Sequence, residues 1–149
     1  MIQRKQTVFL ALAAIFLLLP FIFPVYGFEN EEKQIRLFIY GLGEFNPDFF
    51  VLMAINLFSI ILVGAIIFLY KKRKQQMLLC KIATLLITGL IVAIFYFAEY
   101  AKSLPELSGY SSEIRPMIVA PLAALILVVL ANRAIKQDEE LVRSADRLR

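Results

Sequence analysis

The chain has no histidine and a single cysteine, Cys80, in 149 residues. Without histidine there is no histidine-ligated haem, no ordinary zinc or copper centre and no serine–histidine hydrolysis. One cysteine cannot form an internal disulfide, so membrane thiol-redox chemistry that works through cysteine pairs is excluded. There is no internal repeat, no low-complexity tract and no glycine-rich phosphate loop. Gly41 and Gly43 stand without the rest of a nucleotide fingerprint. Charge is missing from the middle of every long apolar run. That counts against an ion-coupled pump, and the first run lacks the carboxylate on which four-helix multidrug exporters rely.

What the chain does have is apolar surface. Hydrophobic residues make up 60% of it and the mean hydropathy is +0.76. A domain of this size buries only about two thirds of its surface, so the excess calls for a lipid solvent. Four runs approach the roughly 20 apolar residues that cross a bilayer. They cover residues 8–28, 49–70, 82–98 and 117–131. The second is clearest, with fifteen Phe, Leu, Ile and Val residues against one Asn and one Ser. Asn46 and Pro47 mark its start as cap and first helical position. Pro20 and Pro24 bend the outer end of the first run, and Pro121 kinks the fourth or delays its regular helix. "MIQRK" before an apolar run also resembles a signal peptide, but the run is long and no small-x-small cleavage site follows.

Charge orients these runs. With both termini and the central "KKRKQQ" loop on one side, that side holds twelve of the sixteen Lys and Arg residues and four acids, a net of +8. The opposite loops hold four bases and eight acids, a net of −4. The positive-inside rule then puts both termini in the cytoplasm. The fold expected is an all-α, four-helix up-down membrane bundle with a cytoplasmic helical extension. It forms a single membrane domain over residues 1–149. The basic loop chiefly sets orientation, with docking of anionic lipid as the sharper alternative.

Within the runs, Asn56 and Ser59 share one helix face, as do Thr84 and Thr88. They read as intramembrane packing residues that hydrogen-bond between helices; the alternative is a substrate path. In the outer loops, "QIRLFIYGLGEF" alternates at Ile35, Leu37 and Ile39, which suggests a short extended stretch on the membrane surface. Glu99 is the nearest candidate carboxylate for chemistry, at the outer end of the third run. Asp48 is the only outer Asp, which rules out an aspartyl dyad. Ser111 and Ser112 read as caps for the fourth helix.

The last eighteen residues, 132–149, carry nine charges, five basic and four acidic. Their net of +1 suits neither a polybasic lipid anchor nor nucleic acid. No Pro or Gly interrupts them, so the fourth helix continues into the cytoplasm. Leu141, Ala145 and Leu148 form a narrow apolar stripe with Val142 beside it. Such a helix either packs on the bundle end or docks into a partner.

The opening "MIQRKQT" and the ending "ANRAIKQDEELVRSADRLR", with four runs between, resemble a family of small bacterial inner-membrane proteins recorded only as a domain of unknown function. The resemblance implies the same architecture and draws attention to Asp138, Glu139, Leu141, Val142, Arg143, Ser144, Asp146, Arg147 and Arg149 as partner-binding residues. It implies no activity, no cofactor, no metal and no catalytic residue. The leading expectation is a non-enzymatic accessory or scaffold protein whose partners are the bilayer and a cytoplasmic or membrane protein bound through the tail. The alternatives are a small transporter or channel working as a homo-oligomer and, more weakly, a lipid-modifying enzyme using Glu99.

Overall fold

The structure is a computed structural model that describes residues 3–30, 33–42, 49–70, 72–107 and 109–147. The side chains of Gln3, Arg4, Glu106, Arg143, Ala145, Asp146 and Arg147 lie outside the description, as do residues Asn46, Pro47, Asp48 and Arg149. Four helices carry the chain: α1 (Gln3–Ile22), α2 (Phe50–Phe68), α3 (Arg73–Lys102) and α4 (Val119–Arg147). Each is long and apolar enough to cross a membrane. Each packs on two neighbours, in the ring α1–α2–α3–α4.

The inward stripes follow one rule. Buried positions alternate four and three residues apart: Gln6, Leu10, Ala13, Leu17 and Pro20 on α1; Leu52, Asn56, Ser59, Val63 and Ile66 on α2. On α3 they are Gln76, Cys80, Ala83, Ile87, Leu90 and Ile94; on α4, Ala124, Val128, Ala131, Ile135 and Asp138. A 4–3 spacing averages 3.5 residues per repeat and keeps one seam facing the axis of a left-handed bundle. Only 28% of each of the first three spans is buried within the protein. Leu85, Phe68 and Ile61 are among the many large side chains that face outward. An outward face this apolar is solvated by lipid, not water.

The all-α expectation is corrected at the end away from the termini. There the chain forms a four-stranded antiparallel sheet in the order β3–β2–β1–β4: β1 (Tyr26–Glu29), β2 (Gln34–Phe38), β3 (Gly41–Leu42) and β4 (Ser111–Ile114). The first apolar run therefore divides: α1 stops at Ile22 and the residues that follow become a strand. Pro24 has no N–H to reach back to the Pro20 carbonyl. The Ile39 N–H takes that acceptor instead, at 3.4 Å, and docks the end of β2 under α1. The alternation at Ile35, Leu37 and Ile39 does mark a strand, but Leu37 and Ile39 point into the core rather than lie on a surface.

Ser111 and Ser112 do not cap α4. They pair with Glu29 and Phe28 in the sheet, and the Ser111 hydroxyl donates to the Glu29 carbonyl at 3.0 Å. A 3-10 turn at Pro116–Ile118 leads into α4 instead. Pro121 is the third residue of α4, where no intrahelical acceptor awaits its missing N–H, and the regular helix begins only after the 3-10 turn, in keeping with the expected delay. Pro20 lies in the last turn of α1, where its missing N–H leaves the Phe16 carbonyl without its intrahelical donor two residues before the helix ends.

Candidate functional site

Three of the five buried polar residues of the seam gather at the end that carries both termini. Gln6, Gln76 and Asp138 occupy the outermost inward positions of α1, α3 and α4, and all three are buried. The Gln6 amide donates to one oxygen of Asp138 across the α1–α4 interface. The Gln76 amide donates to the Ile66 carbonyl at the end of α2, at 3.1 Å. The other Asp138 oxygen has no hydrogen-bond partner among the described residues. Just outside this layer Arg73 and Glu139 face each other across α3 and α4 at 4.0 Å. Gln6 lies in the opening motif "MIQRKQT" and Asp138 in the closing one. The opening and closing motifs are thus joined by a hydrogen bond 132 residues apart in sequence. A polar seam position fixes register and partner choice in helical bundles, which is the chemistry this layer supports.

Reasoning from sequence found Asp138 and Glu139 but assigned them to an exposed tail. The spacing of Ala131, Ile135 and Asp138 continues the 4–3 seam and carries the signal that Asp138 is an interior residue. Gln6, Arg73 and Gln76 fall within "MIQRKQT" and "KKRKQQ", but nothing there marks an interior place, because long polar side chains at helix ends ordinarily face water.

The intramembrane polar residues separate into two kinds. Asn56 is fully buried and donates to the Leu17 carbonyl of α1 at 3.0 Å. Ser59 is also buried, but its hydroxyl returns to the Ile55 carbonyl of its own helix at 2.8 Å. Thr84 and Thr88 bond back to the Cys80 and Thr84 carbonyls, each at 2.8 Å, and Thr88 is exposed on the outer face. Of these four, Asn56 alone bonds to another helix, so the structure does not bring them together on one surface.

Two outer carboxylates, Glu99 and Glu113, are solvated ion-pair members. Glu99 pairs with Lys102 at 2.7 Å and its side chain is largely exposed. Glu113 pairs with Arg115 at 3.1 Å. Arg115 also crosses the face of β1: a Cβ at Gly27 would lie 2.7 Å from its Nε. Among the described residues no group of three or more metal-ligating side chains converges.

In the tail, α4 outruns its neighbours. Asp138 and Glu139 lie opposite the first turns of α1 and α3, and the helix continues to Arg147. Leu141 is 58% exposed and Val142 42%. The Ser144 hydroxyl caps back to the Leu141 carbonyl at 2.8 Å. For Arg143, Asp146 and Arg147 the helix is described but not the side chain, so no contact is assigned to them.

No curated protein matches the chain. A family model described as "Domain of unknown function (DUF4293)" matches residues 2–148, so the chain belongs to that family across nearly its whole length.

Proposed function

We propose that the protein is a non-enzymatic accessory or scaffold protein of the bacterial inner membrane, with both termini in the cytoplasm and a C-terminal helix that engages a partner protein. The observation that carries this reading is the overhang of α4. The helix has 29 residues, which is about 43 Å at 1.5 Å per residue. A hydrocarbon core is about 30 Å thick. Residues after Glu140 pass beyond the start of α3 and, from Val142 on, that of α1, and Leu141 (58% exposed) and Val142 (42%) keep an open apolar face. An amphipathic helix with an open apolar stripe and charged flanks suits a groove on another protein. Orientation follows the basic residues: the α1 start, the α2–α3 connection and the α4 overhang lie at one end, where twelve of sixteen Lys and Arg residues fall.

The placement gives the transporter alternative less support. Thr88 would line a path only between copies of the chain, and the threonine hydroxyls are occupied by their own helix. The Glu99 carboxylate of the enzyme alternative is held in an exposed pair with Lys102.

The test is affinity capture from native membranes in mild detergent, using an N-terminal tag. Truncation belongs after Glu140, because a cut after Gln137 would also remove the interior Asp138 and open the bundle. The partner present with the full chain should be lost from both the truncated chain and Leu141→Glu/Val142→Glu, with helical content otherwise retained. Identical capture profiles from all three proteins would overturn the proposal.

A further inference from the structure

The extramembrane starts of α3 and ends of α4 form a second surface, independent of the overhang. Between them lies a groove of about 730 Å³, walled by Lys74, Met77, Leu78 and Lys81 on α3 and by Asn132, Lys136, Glu139 and Glu140 on α4. The α3 residues stand at i, i+3, i+4 and i+7, so they share one face. Seven residues place Lys81 about 10 Å deeper along the helix than Lys74. Lys81 adjoins the apolar run, and one turn further Leu85 is 75% exposed. The stripe Lys74, Leu78, Lys81, Leu85 thus presents cations at the level of headgroups and hydrocarbon below them.

The charges in the groove are not balanced. Glu139 faces Arg73 and Glu140 faces Lys136 at 3.8 Å. Among the described residues neither Lys74 nor Lys81 has an acidic partner within 4.0 Å. Lys72 lines an adjoining basin on the same side and adds to the positive field, while Arg73 there is matched by Glu139. Two ammonium groups without an acidic partner, Lys74 and Lys81, stand over an apolar floor beside the Asn132 amide, the Lys136–Glu140 pair and the Arg73-paired Glu139, and this excess of positive charge complements one ligand chemistry. It is a phosphate diester attached to acyl chains.

We propose that the α3–α4 groove is a docking site for an anionic phospholipid, with the headgroup phosphate between Lys74 and Lys81 and an acyl chain along Leu78 and Leu85. The site rests on the chain spanning a membrane and not on the tail binding a partner. Each basic residue at such a surface contributes about 1 kcal/mol, so losing both lysines weakens retention about 25-fold.

The experiment reconstitutes the full chain in bilayer discs of equimolar phosphatidylcholine and phosphatidylglycerol and counts retained lipids by native mass spectrometry. The wild type should keep phosphatidylglycerol and release phosphatidylcholine. Lys74→Gln/Lys81→Gln should lose it, whereas Lys33→Gln/Arg36→Gln, the same charge change at the sheet end, should not. Equal retention by the two variants, or equal retention of the two lipids, overturns the site. Displacement of the lipid by inorganic phosphate overturns the acyl-chain part and leaves a free-anion site. Thermal unfolding of the wild type is a second readout that needs no variant. It should rise in phosphatidylglycerol discs relative to pure phosphatidylcholine, and an unchanged midpoint also counts against the proposal.

Discussion

Replacing Gln6 with leucine isolates the polar layer at the open end of the bundle. Asp138 is 7% exposed and its one described donor is the Gln6 amide; its second oxygen already lacks a partner among the described residues. Removing that donor leaves a buried carboxyl with neither oxygen satisfied, which costs about 3 kcal/mol. The reverse change, Asp138→Leu, strands a neutral amide and costs about 1 to 2 kcal/mol. The double variant Gln6→Leu/Asp138→Leu puts apolar residues at two positions of an otherwise apolar 4–3 seam. It should recover most of the loss and stand within about 1 kcal/mol of the wild type. For a chain of this size about 1 kcal/mol moves the melting midpoint by roughly 2 to 4 °C. The Gln6 variant should therefore melt roughly 6 to 12 °C below the wild type in a common detergent, followed by circular dichroism. The double variant should fall only a few degrees short. Single variants that melt with the wild type would refute the burial argument. A double variant that loses the sum of the two singles would refute the pairing, since uncoupled sites add.

Asn56→Leu should destabilise the bundle by about 0.6 to 2 kcal/mol, through the lost bond to the Leu17 carbonyl, while Thr88→Val should change the same melting curve by less than about 0.5 kcal/mol. A Thr88 effect as large as that of Asn56 would point to a path or an interface on the outer face. Gly27→Val should displace Arg115 from β1, because the added Cβ meets its Nε at 2.7 Å; the melting point falls, and trimming the obstructing side chain with Arg115→Ala should restore part of it. No rescue in that pair would place the strain elsewhere.

The helices were legible in the sequence because crossing a bilayer demands long apolar runs whatever else a protein does. The sheet was not, apart from the alternation at Ile35, Leu37 and Ile39. β1 was hidden inside the first apolar run, since Val25, Tyr26 and Phe28 satisfy a membrane span and a buried strand equally well. Only the proline pair at 20 and 24 marked the change. β4 was hidden for the opposite reason: "SSEI" is polar and exposed, and two serines before a helix resemble a cap. The interior place of Asp138 was obscured by its acidic neighbours, although its spacing from Ile135 and Ala131 carried the information. Composition describes how a residue meets solvent, whereas the 4–3 interval describes where the backbone points it. At this end of the bundle the interval was the better guide.

The sheet also imposes an order on assembly. β1 is complete by Glu29, and on one side it pairs with β2, which follows within the same loop. Its other edge waits for residues 111–114, made after three of the four helices. Until then the nascent chain carries an open strand edge on the far side of the membrane from its termini. Delivery of β4 seals that edge and sets α4 beside α1 in one step, with β1 tied to α1 and β4 leading into α4. The open edge thus passes from β1, whose residues are buried, to β4, which is short, polar and exposed and tolerates water, and the ring of helices closes only with its last member.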